Sequence, residues 1–195
     1  MAINFSRPSA ANTLDDAPRY DTSIHGMPMT RVGSLQKYVE MLNDAETHDG
    51  LAGKRAVEAW LGKHDLFYLL YRLLRRPDID NDWLFARCRE VERAPDDHLD
   101  LWSRGHYKST IITFALTIQE ILRDPDITIG LFSHTKGIAK AFLKQIKREF
   151  TENELLKVIY ADVLFADPEK ESPQWNEDGI IVRRVNNPKE ATIEA

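Results

Sequence analysis

The chain has 195 residues, of which 43% are hydrophobic, so one domain with a sizeable core is expected. Its 31 acidic and 26 basic residues give a formal charge of −5, which argues against a uniformly basic nucleic-acid binder. The single cysteine, Cys88, excludes an internal disulfide framework and agrees with a reducing cytosol. No apolar run approaches the roughly 20 residues that cross a bilayer, and no signal peptide is recognisable, so no membrane contact is expected.

The first half of the chain reads as a flexible arm followed by helices. Residues 1–32 are polar and irregular, with three prolines, and predict a mobile arm. Residues 33–95 are predicted to be all-helical, with Ser34 as the first N-cap, a break at His48-Asp49-Gly50, and Cys88 as a small buried side chain. The predicted helices are Ser34–Glu46, Lys54–Leu61, Asp65–Arg76 and Asn81–Arg93. No catalytic constellation is visible among them.

Residues 96–195 alternate between strand and helix patterns. His98–Trp102 predicts a strand, and Ser109–Leu122 is apolar on nearly every face, which is typical of a buried helix. Ile127–Ser133 predicts a buried parallel strand, Thr135–Phe150 a helix with a lysine-rich side, and Ile180–Val185 a further strand. Two successive strand–helix units predict an α/β fold with a parallel sheet and right-handed crossovers.

The loop Arg104–Thr110 lies between the first predicted strand and the buried helix. The first N–H groups of a helix lack internal partners and carry the positive end of its dipole, so phosphates bind there. Lys108 would add a positive charge, and the Ser109 hydroxyl would complete a Mg²⁺ shell. The standard phosphate-binding pattern has glycine where Trp102 and Tyr107 stand, so the pattern alone leaves an ordinary strand–turn–helix equally open.

The segment Ser103–Thr110 (SRGHYKST) resembles the deviant Walker A motif of the large terminase subunits of tailed bacteriophages, which are DNA-packaging motors. That family places an arginine four residues before the lysine, where Arg104 stands. Roughly the first 30 residues fall outside the likeness. The other similar segments are Asp80–Val91, Leu99–Trp102, Leu131–Phe150, Trp175 and Lys189–Ala195.

This resemblance implies an incomplete P-loop NTPase-like parallel sheet preceded by a helical region that supports or covers the nucleotide pocket. It implies ATP and Mg²⁺ as ligands, with Arg104 and Lys108 as catalytic residues and Ser109 at the metal. The residues implied to line the nucleotide are Gly105, His106, Tyr107, Lys108, Ser109 and Thr110. For the complete motor it implies double-stranded DNA, a portal protein, a small terminase subunit and a homo-oligomeric ring as partners, in the bacterial host cytoplasm.

The acidic pair that orients water for ATP hydrolysis is missing from the sequence. The one apolar run before an acid, Val163–Asp167, is followed by Pro168 rather than Glu, and the strand from Ile180 leads into Arg183 and Arg184. In terminases the acidic motif lies downstream of the segment that resembles Lys189–Ala195, and the nuclease domain lies further still. The chain therefore resembles the front of a motor, and we expect negligible ATP turnover from it alone.

Several alternatives stay open at this stage. The chain could be a non-enzymatic docking module or an inactive prophage relic that binds the portal or the small subunit. It could also belong to another P-loop enzyme, although Arg104 counts against this. Three further sets have both a structural and a functional reading: the acids and histidine of residues 96–100, His134 at the end of a strand, and the lysine side of Thr135–Phe150.

Overall fold

The computed structural model describes residues 3–5, 27–93, 98–186 and 188–195. Most of the expected N-terminal arm, along with Asp96 and Asp97, therefore lies outside the described residues. In the described part, helices dominate, the N-terminal region is largely helical, and the strands form one small mixed sheet.

The first helix, α1 (Arg31–His64), begins one turn earlier than the sequence predicts. Thr30 is its N-cap and accepts a hydrogen bond from the Gly33 N–H at 3.3 Å. The predicted cap, Ser34, lies inside the first turn, where its hydroxyl donates to the Pro28 carbonyl at 2.9 Å. The predicted break is present as a kink, because Gly50 has the non-helical values φ 64° and ψ −152°.

The next helices pack beneath α1. Asp65 ends α1 and caps α2 (Leu66–Tyr68), which continues as a π-helix over Leu69–Leu73. A 3₁₀ turn over Pro77–Ile79 then leads into α3 (Asp82–Arg93). The prediction for Cys88 is confirmed, since its side chain in α3 is fully buried.

The predicted strand His98–Trp102 is wrong. These residues form no strand, and among the described residues no segment pairs with them. Leu99 and Leu101 are 72% and 82% exposed. Alternating apolar side chains indicate a strand face, but a strand also needs a neighbour for its ladder, and here the sheet is built from other segments.

The predicted buried helix is confirmed in its burial but not in its geometry. It consists of a π-helix over Ser109–Leu116 followed by α4 (Thr117–Arg123). Its first half is rich in β-branched residues, which are weak helix formers, so packing must hold it. The fully buried apolar members are Ile111, Ala115, Ile118, Ile121 and Leu122.

The sheet is mixed, whereas the sequence predicts a parallel one. Its strands are β1 (Ile3–Phe5), β2 (Ile129–Leu131), β3 (Gly179–Ile180) and β4 (Ile193–Glu194), in the spatial order β1-β2-β4-β3. Only β2 and β4 run parallel, with Ile129 opposite Ile193. The other two pairs are antiparallel. Of the predicted strand 127–133, Ile129–Leu131 forms β2; of the predicted strand 180–185, only Ile180 lies in a strand, the edge strand β3.

Three further helices complete the chain: α5 (Lys136–Glu152), α6 (Glu154–Ile159) and α7 (Pro168–Glu171). Tyr160 follows α6, and its hydroxyl donates to the Ala59 carbonyl of α1 at 2.8 Å. The two halves of the chain therefore share one hydrophobic core. No helix in the described part of the chain is both long and apolar enough to cross a membrane.

Candidate functional site

The loop Arg104–Thr110 takes a backbone path that glycine usually permits. Gly105 has φ 83°, and Tyr107 has φ 59°. Tyr107 occupies the position where the standard phosphate-binding pattern has glycine, and it adopts the left-handed conformation that favours glycine there. Lys108 follows with right-handed values of φ −50° and ψ −50°. Such a change of hand between neighbours turns consecutive N–H groups toward one side, which is how backbone concavities bind anions.

Most backbone donors of this loop have no acceptor among the described residues. The His106 N–H bonds to the Ser103 carbonyl at 3.4 Å, and the Ile111 N–H bonds to the Tyr107 carbonyl at 2.9 Å. Within the described residues, nothing accepts from the other amides at the helix start, which are those of Gly105, Tyr107, Lys108, Ser109 and Thr110. Unsatisfied donors at a helix start are completed by solvent or by an anionic ligand.

The charged and hydroxyl side chains of the loop are also uncommitted. Lys108 is half-buried and Arg104 exposed, and neither forms an ion pair with any described residue. The hydroxyls of Ser109 and Thr110 likewise have no hydrogen-bond partner in the described part of the chain. Two free cations, free hydroxyls and free amides fit a polyphosphate, and the Ser109 oxygen is a ligand of the kind that Mg²⁺ takes.

Protein carboxylates offer no ready-made cation cage near the loop. In the described ranges, no group of three or more His, Cys, Asp or Glu side chains could hold a metal ion. A Mg²⁺ ion at Ser109 would therefore be held mainly by phosphate oxygens and water, which is how this ion is commonly bound beside nucleotides.

Tyr107 connects the loop to the helical region and packs against the hydrophobic core. Its hydroxyl hydrogen-bonds to Asp78, in the 3₁₀ turn, and this bond together with the carboxylate charge raises the pKa of the Tyr107 phenol. Sequence reasoning gave Asp78 no role, because a turn carboxylate carries no motif.

An aromatic cluster borders the loop on the side of α3. The ring centroid of Trp83 lies 5.4 Å from that of His106 and 5.9 Å from that of Trp102. The Arg87 guanidinium lies 5.7 Å from the Trp83 centroid. Sequence reasoning quoted the segment holding Trp83 but gave this residue no role. The available signal was its position in the helix, off the apolar stripe that includes Leu84 and Cys88.

The other candidates have no described contact with the loop side chains, and several are engaged elsewhere in the fold. His98 lies 3.5 Å from Asp100, and His134 is exposed without a described partner. The lysine side of α5 is partly occupied, because Lys136 and Lys140 both pair with Asp178, at 2.9 and 3.0 Å. Further along, Lys147 donates to the carbonyl oxygens of Trp175 and Asn176.

A second group of ionisable side chains lies in the interior, centred on Asp65. This carboxylate is fully buried and accepts from the Tyr38 hydroxyl at 2.6 Å, from Arg89 Nη2 at 2.7 Å and from the Tyr68 N–H at 2.9 Å. Burial, more than the Asp65 charge, raises the pKa of the Tyr38 phenol. Asp65, Tyr38 and Arg89 are thus bonded to one another, as buried polar groups require, although Oε1 of the nearby Gln119 has no described partner.

Glu92 extends the interior group toward α4. Its carboxylate accepts from the Leu66 N–H at 2.5 Å, from Gln119 Nε2 at 3.2 Å and from Arg89 Nη1 at 3.2 Å. Burial and then the nearby Asp65 charge raise the pKa of the Glu92 carboxyl to about 7, although Arg89 acts in the opposite direction. This group links α1, α3 and α4, and we assign it the role of stabilising the packing of these helices.

Comparison with known proteins adds no relative. No family model, no curated protein and no solved structure matches the chain. The support for a function therefore comes from the geometry of the loop and from the motifs that resemble terminases.

Proposed function

We propose that the chain is the N-terminal ATP-binding part of a phage terminase large subunit, and that its loop Arg104–Thr110 holds the phosphates of Mg-ATP. The observation that carries this is Lys108, which has no ion-pair partner among the described residues and stands beside amides without a described acceptor, behind the left-handed Tyr107. A bound anion would satisfy both the ammonium and the amides. The motif SRGHYKST supplies the second, independent support.

Each loop residue has a definite part in this proposal. Lys108 places its charge at the β- and γ-phosphates, and the amides from Gly105 to Thr110 donate to phosphate oxygens. Arg104 stabilises the γ-phosphate, and Ser109 holds Mg²⁺ through its hydroxyl. The metal, when bound, neutralises part of the phosphate charge.

For this chain alone, we propose that Mg-ATP binds but is not hydrolysed. The rejected acidic segment Val163–Asp167 lies in a turn rather than a strand, and the Asp167 carboxylate pairs with Lys170 at 2.7 Å. In the complete motor, a later acidic pair would orient the attacking water. Hydrolysis would then drive double-stranded DNA into the procapsid through the portal.

A docking module is the second candidate, and one observation favours it. Leu99 and Leu101 expose large apolar side chains on a segment that no described strand covers. Such a segment is a ready template for pairing with another strand. This candidate needs no nucleotide, so a nucleotide titration separates the two.

The test is a calorimetric titration of Mg-ATP into wild type, Lys108→Ala and Lys144→Ala. Lys144 is an exposed lysine on α5 without a described ion pair, which makes it a matched control. We expect Lys108→Ala to lower the affinity by about 10- to 100-fold, the range for a charge-assisted hydrogen bond. Lys144→Ala should leave it unchanged.

Equal affinities of wild type and Lys108→Ala would refute the nucleotide site and leave the docking module. A phosphate-release assay on the same samples should show negligible turnover. Robust turnover that depends on Lys108 would contradict the conclusion that the chain lacks its catalytic carboxylate.

A further inference from the structure

We propose that the indole of Trp83 is the stacking surface for the base of the nucleotide whose phosphates bind at Arg104–Thr110. This inference rests on the proposed function and extends it from a polyphosphate to a nucleoside triphosphate. It assigns a ligand contact to α3, in the helical region for which sequence reasoning found no chemistry.

The exposure of Trp83 is the first observation. Trp83 is 45% exposed, and it is the most exposed of the four tryptophans, the others being half-buried. A large indole left in solvent at the start of α3 contributes little to the core. Exposed aromatic side chains beside a polar site are common binding surfaces.

Its position relative to the loop is the second observation. Trp83 contacts His106 of the loop, with ring centroids 5.4 Å apart. Because consecutive Cα atoms are about 3.8 Å apart, the Cα atoms of His106 and Lys108 lie at most roughly 7.6 Å apart. Trp83 therefore contacts the loop residue that stands two positions before Lys108, and we place the base at Trp83 and the phosphates at Lys108.

The neighbouring rings and Arg87 hold the indole in place, and its 45% exposure leaves surface for a base. His106 and Trp102 both meet Trp83 edge-to-face, with interplanar angles of 71° and 70°. Neither ring is parallel to the indole. Arg87 lies over the ring and is itself paired with Glu90, so the indole is oriented before any ligand arrives.

The alternative is that Trp83 only supports the conformation of the loop through its contact with His106. Such a role would change the affinity for every ligand of the loop equally, whereas a stacking surface changes the affinity only for ligands that carry a base. Inorganic tripolyphosphate has the phosphate chain without a base, so it distinguishes the two roles.

The experiment measures the affinity for Mg-ATP and for Mg-tripolyphosphate in wild type, Trp83→Leu, Trp83→Phe and Lys108→Ala. We expect Trp83→Leu to weaken ATP binding by roughly 5- to 100-fold, the range for one base–aromatic stack, and to leave tripolyphosphate binding unchanged. Trp83→Phe, which keeps a π-face, should retain most of the ATP affinity. Lys108→Ala should weaken both ligands.

Two results would overturn the inference while the phosphate site stands. They are an ATP affinity in Trp83→Leu within twofold of wild type, and an equal loss for ATP and tripolyphosphate. If Lys108→Ala alters neither ligand, the proposed function itself fails. Far-ultraviolet circular dichroism checks the fold, and Trp83→Gln replaces the leucine variant if that variant is unfolded.

Discussion

The interior group around Asp65 and the surface loop Arg104–Thr110 both concentrate charge, but they differ in how that charge is compensated. In the interior, Arg89 is bonded to Asp65 at 2.7 Å and to Glu92 at 3.2 Å. In the loop, Lys108 is half-buried and meets no carboxylate among the described residues. Both places are rich in polar side chains, so composition alone does not separate them.

The difference teaches which cluster is structural and which is open to a ligand. A buried ion with all its partners present stabilises a single arrangement of helices and has no capacity left for a ligand. A cation, hydroxyls and amides that have no partner among the described residues can still bind a ligand. The raised pKa of Glu92 therefore reflects burial among hydrogen-bonded partners, although shifted carboxyls often mark active sites.

The largest expected effect comes from breaking the interior group. Arg89→Met should lower the free energy of unfolding by about 3–5 kcal/mol, because it leaves the buried carboxylates of Asp65 and Glu92 without their shared cation. Urea denaturation followed by circular dichroism measures this. Lys108→Ala, in the loop, should change the same free energy by less than about 0.5 kcal/mol.

Arg87→Met is the matched control on the same helix. Arg87 pairs with Glu90, which is well exposed to solvent, so its loss should cost less than about 1 kcal/mol. If Arg89→Met and Arg87→Met proved equally mild, the interior group would not be held together by its central arginine.

The next largest effect is on the pH dependence of stability, to which the Glu92 carboxyl and the His64 ring contribute in opposite directions. The raised pKa of Glu92, about 7, means that the folded state favours the protonated carboxyl. The stability that this raised pKa contributes is fully present below the pKa of the unfolded chain, about 4.3, and is lost as the pH rises through 7. Burial, then Arg123 and Lys63, lower the pKa of His64 to about 4, so its contribution is present above about 6.5 and is lost as the pH falls toward 4.

Because the two contributions to stability oppose each other in wild type, we expect each to become visible in a variant that lacks the other group. Between pH 7.5 and pH 5, Glu92→Gln should lose stability relative to wild type by about 1–2 kcal/mol, since His64 then acts alone. His64→Asn should gain, by about 1 kcal/mol or less because that ring is partly solvated. Urea denaturation at the two pH values measures both. Parallel pH profiles for all three proteins would contradict the opposing pair.

Sequence reasoning located the features that depend on local patterns. The buried helix after Ser109, the break near Gly50 and the burial of Cys88 all follow from apolar periodicity or from glycine's conformational freedom. The loop Arg104–Thr110 was singled out because a lysine and a hydroxyl residue before an apolar helix are a short-range signal, and its role stays a prediction.

What sequence reasoning missed depends on contacts between distant segments. The alternation of Leu99 and Leu101 indicates a strand face but cannot say whether a neighbouring strand exists. The pairing of Asp65 with Arg89 spans 24 residues, and that of Trp83 with His106 joins a helix to a loop. The left-handed Tyr107 was missed because tyrosine has no preference for that conformation.

The smallest effect tests the loop side of the comparison through the backbone of Tyr107, whose φ is 59°. Asparagine tolerates the left-handed region and a β-branched valine does not, while both replacements remove the ring and its bond to Asp78. Tyr107→Asn should therefore be more stable than Tyr107→Val by about 1 kcal/mol in urea denaturation. It should also bind Mg-ATP more tightly, because the amides of Lys108 and Ser109 keep their direction. Tyr107→Phe, which loses only the hydroxyl, isolates the Asp78 bond. If asparagine and valine behaved alike in both measurements, the left-handed turn before Lys108 would have no part in forming the site.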